Sequence, residues 1–177
     1  MKKFLYNRNP LNILSYLGKN RFDDFLYGAK IADDIGINQG GTSIILKEFH
    51  KMGIIQKHGV GKTLVYSVNK KHPVLKMFRV FENIVEINGL VENIKEQCKK
   101  IILFGSCSTG DDTAESDIDL FVLTIEDAGN IRKKILKYKT ERQIKSIVIN
   151  QLELIEMEKK DKVFMDEVKK GLILWGE

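Results

Sequence analysis

The segment 101–124 constrains the fold of this chain more than any other part of the sequence. An apolar run leads into Gly-Ser-Cys-Ser-Thr-Gly at 105–110, and Ser-Asp-Ile-Asp-Leu at 116–120 opens a second apolar run. Short apolar runs bounded by glycine and serine predict two strands joined by a tight turn. Because side chains alternate along a strand, we expect Asp117 and Asp119 to project from the same face.

Two carboxylates beside a glycine-serine turn suit the binding of a metal ion and a phosphate. Magnesium takes oxygen ligands and shares its shell with substrate phosphates. Gly105 allows close approach of the backbone, Ser106 offers a hydroxyl and an amide, and Gly110 is expected to permit the turn back. Two metal ions on Asp117 and Asp119 would clamp the oxygens of an in-line displacement at an α-phosphate. The pattern therefore favours nucleotidyl transfer.

These residues resemble the nucleotidyltransferase superfamily of the DNA polymerase β type, in particular its minimal stand-alone members. The family pattern is Gly-Ser, three residues, Gly, five residues and Ser-Asp-Ile-Asp-Leu, which this chain matches in register. The resemblance covers about residues 90–177 and implies a small mixed sheet flanked by helices that binds a nucleoside triphosphate with Mg²⁺. It assigns metal binding and catalysis to Asp117 and Asp119. The nucleotide-binding residues that it implies are Gly105, Ser106, Gly110 and Ser116.

The third carboxylate of active family members has no match in this chain. The corresponding strand carries Lys145 at that position and contains no acid. A lysine facing Asp117 and Asp119 would replace a metal ion by forming ion pairs, which would weaken catalysis and leave a nucleotide pocket. Glu141 and Glu153 lie outside the strand and are the alternative acids.

The first part of the chain predicts two short helices followed by a hairpin. Helices over 27–35 and 39–52, the second with Asn38 as a good N-cap, precede two extended segments around a glycine-rich tip at 58–63. Over residues 10–70 this order resembles the winged helix-turn-helix of small prokaryotic transcriptional regulators. The resemblance places the second helix in the DNA major groove and the wing on phosphate or the minor groove. The DNA-binding residues that it implies are Ser43, Lys47, His50, Lys57, His58 and Lys62.

The charge distribution agrees with a DNA-binding first part. Residues 1–73 hold 12 lysines and arginines against five acidic residues, a net charge of +7, whereas residues 74–177 hold 17 against 19. A basic excess confined to one region is the electrostatic footprint expected of a surface that binds a polyanion. The alternative is a winged helix that contacts a protein, with its basic residues simply solvated.

A helical segment is predicted between the two parts, over 72–97. Its apolar residues recur at alternating spacings of three and four, the pattern of a coiled-coil seam that would suit a homodimer. Asn88-Gly89 is a turn signal in its middle, so two shorter helices fit equally well. The sequence thus predicts an α+β chain with a winged helix-turn-helix over 1–72, a helical linker over 73–98 and a minimal nucleotidyltransferase-like domain over 99–177.

The favoured function is a nucleotidyltransferase tethered to a DNA-binding domain. The alternatives are a catalytically impaired, nucleotide-sensing transcriptional regulator and an antitoxin-like protein that binds a partner protein. The sequence shows neither a signal peptide nor an apolar run of membrane-spanning length, so we expect a cytoplasmic protein with no membrane partner. Cys98 and Cys107 are too few for a disulfide framework and lack metal-site spacing.

Overall fold

The computed structural model describes residues 8–19, 25–61 and 63–176. The chain divides into two compact units, Met1–Arg79 and Val80–Glu177. The helices are α1 (Arg8–Lys19), α2 (Gly28–Ile35), α3 (Gln39–Lys51), α4 (Pro73–Ile94), α5 (Ser106–Thr109), α6 (Ala128–Lys137), α7 (Gln151–Lys160) and α8 (Lys162–Lys169), with a 3-10 turn at Lys95–Gln97. The strands are β1 (Leu26–Tyr27), β2 (Ile55–Val60), β3 (Thr63–Val68), β4 (Cys98–Phe104), β5 (Ile118–Thr124), β6 (Ile144–Ile149) and β7 (Leu172–Trp175). Along these stretches of chain, no helix combines the length and apolar character needed to cross a bilayer.

In the first unit, α1 to α3 accompany a three-stranded antiparallel sheet of order β1-β3-β2. Asn38 caps α3 as predicted, because its side chain accepts a hydrogen bond from the Gly41 amide at 2.7 Å. Gly36 ends α2 in the left-handed conformation, with φ 66°. Strands β2 and β3 pair as a hairpin. The predicted order of helix, helix and hairpin is present, and its likeness to a winged helix stays a prediction.

The second unit is built on a mixed sheet of order β6-β5-β4-β7, in which only β5 and β6 are parallel. Helix α6 provides the crossover that a parallel pair needs. Side chains of β5 alternate between two cores, so Ile118 and Leu120 pack with α4 and α6, while Phe121 and Leu123 pack with α7 and α8. The predicted mixed sheet with flanking helices is confirmed.

Helix α4 is unbroken, so the alternative of two shorter helices separated by a turn at Asn88-Gly89 is wrong. A Cβ atom on Gly89 would lie 2.9 Å from the hydroxyl oxygen of Tyr138, and that hydroxyl donates to the Glu86 carbonyl at 3.0 Å. Because Gly89 has no side chain, the Tyr138 side chain can pack directly against α4 at this position. The predicted seam residues of the second unit pack in its own core: Ile84, Ile87, Val91 and Ile94. They are not available to a coiled-coil partner, and homodimerisation stays a prediction.

Substitution Leu120→Ala should destabilise the second unit by about 2–5 kcal/mol, because Leu120 is fully buried in the centre of the sheet. Denaturant unfolding followed by the fluorescence of Trp175, the only tryptophan, measures this, since Trp175 pairs with β4 in the same sheet. The matched control is Leu136→Ala, because Leu136 is 84% exposed. Equal midpoints for the two variants would contradict the assignment of the core.

Candidate active site

The candidate site lies at the end of the second unit's sheet where β4 ends and both β5 and β6 begin. Antiparallel pairing sets Phe104 opposite Asp119, and parallel pairing sets Asp119 opposite Lys145. Gly105 follows β4 directly, and Asp117 comes directly before β5. Strand pairing therefore brings together, at this end of the sheet, residues that are up to 41 positions apart in the sequence.

Gly105 makes room for one of the two carboxylates. Its backbone, at φ 66° and ψ −155°, lies in a region that only glycine occupies readily. A Cβ atom at this position would lie 2.8 Å from Oδ2 of Asp119. Conformation and space both exclude a side chain here, so the Asp119 carboxylate rests against the bare backbone of the turn.

The turn after Gly105 contains the single-turn helix α5. The partly buried Ser106 begins α5, and the buried Gly110 ends it at φ 73° with its amide donating to the Ser106 carbonyl. Gly110 thus permits the turn back, as its sequence position indicates. Ser116 contributes to the loop that follows, since its Oγ accepts a hydrogen bond from the Thr113 amide at 2.8 Å. Its implied role in nucleotide binding stays a prediction.

Asp117, Asp119 and Lys145 form one electrostatic cluster. Nζ of Lys145 lies 2.6 Å from Oδ2 of Asp117, and this hydrogen bond is the main reason that the pKa of Lys145 is raised. The pKa of Asp119 is raised by burial; the charge of Lys145 opposes that shift and the charge of Asp117 adds to it. Lys145 therefore faces the pair of acids, and its cation compensates part of their charge.

Within the described part of the chain, no third carboxylate joins this cluster to form a metal site. Among the residues that the structure describes, no group of three or more His, Cys, Asp or Glu side chains is placed to hold a metal ion. Glu153 is ruled out as the substitute acid, since it follows the far end of β6 and its Oε2 accepts from the Asn150 amide at 2.8 Å in the capping box of α7. Glu141 precedes β6, at the site end of the strand. Its role as an alternative acid stays a prediction.

The donors present fit one Mg²⁺ ion better than two. Magnesium is commonly held by one or two carboxylates together with substrate phosphates. Asp117 and Asp119 can provide the carboxylates, and the adjacent turn leaves the phosphates to the substrate. The side chain of Lys145 is 60% exposed, so it can move away from Asp117 and leave that carboxylate to an incoming cation. A two-metal site does not fit, because a lysine stands where the additional carboxylate would bridge the second ion.

Cys107 is a structural residue of the turn. Its side chain is fully buried, its thiol donates to the Asp117 carbonyl at 3.3 Å, and burial raises its pKa to about 12. A thiol with such a pKa stays protonated at neutral pH and is a poor nucleophile.

Sequence reasoning missed two polar residues that contact Cys107. Asn83 on α4 donates from Nδ2 to the Cys107 carbonyl at 2.9 Å. Arg142, in the loop before β6, donates from Nη2 to Oδ1 of Asn83 at 2.8 Å. These partners lie 24 and 59 positions apart in the chain. No local pattern could have joined them.

The residues proposed to bind DNA all belong to the first unit. Ser43 and Lys47 on α3 and Lys57 on β2 are exposed. The two histidines have partners within the unit: His50 Nδ1 lies 3.2 Å from the Ile55 carbonyl oxygen, and His58 Nε2 lies 2.8 Å from Ser67 Oγ. Lys62 lies outside the described residues.

Comparison with known protein families identifies the region of the chain that contains the site. The sequence model of the family described as "Polymerase beta, Nucleotidyltransferase" matches residues 86–177, just over half of the chain. No curated protein matches the chain. The matched region starts within α4 and includes the whole second-unit sheet, so the turn, the two aspartates and Lys145 all lie inside it.

Substitution Gly105→Ala should destabilise the second unit by about 1–3 kcal/mol and displace the Asp119 carboxylate, because the new methyl group meets both an unfavourable backbone conformation and Oδ2. Unfolding followed by Trp175 fluorescence measures the first effect. The shift of the Asp119 carboxyl carbon signal in NMR spectra measures the second.

The matched control is Thr109→Ser, at an exposed position of the same turn, because serine keeps the hydroxyl that donates to the Ser106 carbonyl at 3.1 Å. It should change the free energy of unfolding by less than about 0.5 kcal/mol. Unfolding and carboxyl signals in Gly105→Ala that equal those of the control would contradict the close contact between Gly105 and Asp119.

Proposed function

Because the chain belongs to the polymerase β nucleotidyltransferase family, we propose that its second unit binds a nucleoside triphosphate with Mg²⁺ and transfers a nucleotidyl group to an acceptor hydroxyl. One observation carries this proposal. Asp117 and Asp119 both interact with Lys145 beside the Gly105-Ser106 turn, at the end of the sheet where β4 ends and β5 begins. In this reaction the acceptor oxygen bonds to the α-phosphorus, the bond from that phosphorus to the pyrophosphate oxygen breaks, pyrophosphate leaves, and the hydroxyl proton passes to solvent water.

Each of the residues at this end of the sheet has a role in the proposed reaction. Asp117 and Asp119 hold the metal ion, which when bound neutralises phosphate charge. The Ser106 hydroxyl and amide donate hydrogen bonds to phosphate oxygens, which Gly105 allows to approach the backbone. Lys145, released from Asp117, keeps a second positive charge beside the phosphates. Since Lys145 replaces an acid, the acceptor hydroxyl lacks a general base there, and we expect transfer to be slow.

A second candidate function is nucleotide sensing without transfer. The observation that favours it is the contact of 2.6 Å between Lys145 and Asp117, in which the lysine cation takes the place of a metal ion. In that case the second unit binds the nucleotide, and the first unit acts on DNA as a regulator.

Substitution Lys145→Asp should increase nucleotidyl transfer by about 100-fold, the lower end of what a positioned general base contributes, because it restores a carboxylate beside the pair. Transfer of label from α-³²P nucleoside triphosphates to a panel of hydroxyl acceptors measures the rate, with nucleotide binding measured in parallel by calorimetry. The matched control Lys145→Met removes the cation without adding an acid.

The outcomes separate the two candidates. Transfer by the native chain that is lost in Asp117→Asn supports the enzyme. Binding of the nucleotide without transfer by the native chain or by Lys145→Asp contradicts the enzyme and supports the sensor. Absence of binding contradicts both.

We also propose that the first unit binds duplex DNA as a winged helix. Support comes from the succession of α2, α3 and the β2–β3 hairpin, from the exposed Ser43, Lys47 and Lys57, and from the net charge of +7 over residues 1–73. An exposed α3 would enter the major groove, with the hairpin along the phosphates.

Substitution of both Lys47 and Lys57 by alanine should weaken DNA binding and lower the slope of log K against log salt by about 2, because each lysine is expected to neutralise one phosphate. Fluorescence anisotropy with duplex DNA at several salt concentrations measures both quantities. The control is Lys51→Ala, since Lys51 already forms an ion pair of 2.7 Å with Glu48. A salt slope that the double substitution leaves unchanged would exclude this surface.

A further inference from the structure

Arg142 connects three separate segments of the second unit. It lies in the loop before β6, with only 12% of its side chain exposed. Its Nη1 donates to Oδ2 of Asp112 at 2.9 Å, while Nη2 donates to Oε2 of Glu86 at 2.6 Å and to Oδ1 of Asn83 at 2.8 Å. A planar guanidinium can satisfy several acceptors in such a fixed arrangement, whereas an ammonium group cannot.

The contacts of Arg142 continue to the backbone of the turn. Because Oδ1 of Asn83 accepts from Arg142, its Nδ2 is directed at the Cys107 carbonyl, to which it donates at 2.9 Å. Nη1 of Arg142 also lies 3.6 Å from the Cys107 sulfur. The Cys107 thiol donates in turn to the Asp117 carbonyl. One buried set of hydrogen bonds thus joins α4, the Gly105–Gly110 turn and the start of β5.

The positive charge of Arg142 is already compensated by two carboxylates within this set of hydrogen bonds. Asp112 and Glu86 both form ion pairs with it, at 2.9 and 2.6 Å. The side chains of Arg142 and Asp112 are 12% and 5% exposed, so the guanidinium is not open to a bound anion. Arg142 is therefore not a direct ligand of a triphosphate.

We propose that Arg142 is a positioning residue of the nucleotide site. Through Asn83 it fixes the Cys107 carbonyl, and this holds the Gly105–Gly110 turn in place relative to Asp117. The consequence for nucleotide affinity rests on the function proposed above, whereas the consequence for the turn does not.

Two variants of the full chain test the proposal. Arg142→Lys keeps the positive charge but loses the planar fork, and Asn83→Ala breaks the link to Cys107 without leaving a buried charge unpaired. Hydrogen–deuterium exchange should become about tenfold faster in each at the amides of Ser108 and Asp111, which bond to carbonyls of the turn, with β4 and β5 unchanged. Calorimetry should show about tenfold weaker binding of ATP with Mg²⁺ in each, a loss typical of an outer supporting contact.

The matched control is Arg132→Lys, because Arg132 donates to the Val148 carbonyl at 2.7 Å, near the end of β6 that lies away from the turn. It should alter neither exchange at the turn nor affinity. Unchanged exchange at Ser108 and Asp111 in a folded Arg142→Lys would overturn the proposal. If Arg142→Lys does not fold, the same measurement on Asn83→Ala decides, and a protected turn there overturns it. If the native chain binds no ATP, the proposed function fails, and exchange still decides the role of Arg142.

Discussion

The pairing of β5 with its two neighbours is the interaction on which the rest of the second unit depends. Antiparallel pairing with β4 places Asp119 next to the bare backbone of Gly105, and parallel pairing with β6 places the same residue beside Lys145. The two faces of β5 differ at its start, where Ile118 and Leu120 pack in the core with α4 and α6 while Asp117 and Asp119 lie on the opposite face. A shift by one residue would turn both aspartates toward that apolar core, so the register is strongly specified.

Much of this arrangement could be predicted from the sequence because its determinants are local. The glycine-serine turn and the alternation after Ser116 each predict one element, the family resemblance adds the strand that carries Lys145, and the structure has all three. The cap at Asn38 depended on residues three positions apart. The prediction of a turn at Asn88-Gly89 was wrong because the Tyr138 side chain packs against Gly89. This tertiary contact overrides the preference of the Asn-Gly pair for a turn.

The candidate site could be predicted only in part. The sequence indicated which acids share a face and that a lysine replaces a third acid. It anticipated ion pairs between that lysine and the acids, and the structure has one with Asp117, but it did not indicate that Asn83 contacts both Arg142 and Cys107. Such contacts join residues between 24 and 59 positions apart. They arise from the order of strands in the sheet and the path of α4, which short-range patterns do not encode.

Close contact at Gly105 also limits how this region can vary among relatives of the chain. Any side chain at 105 competes for space with a carboxylate at 119, so the two positions are not free to drift independently. A descendant that lost the acid at 119 would gain space at 105 but would keep a backbone conformation that favours glycine. Loss of the glycine alone would strain the turn and displace the carboxylate. Replacement of both residues together would therefore mark lineages in which this candidate site has lost its function.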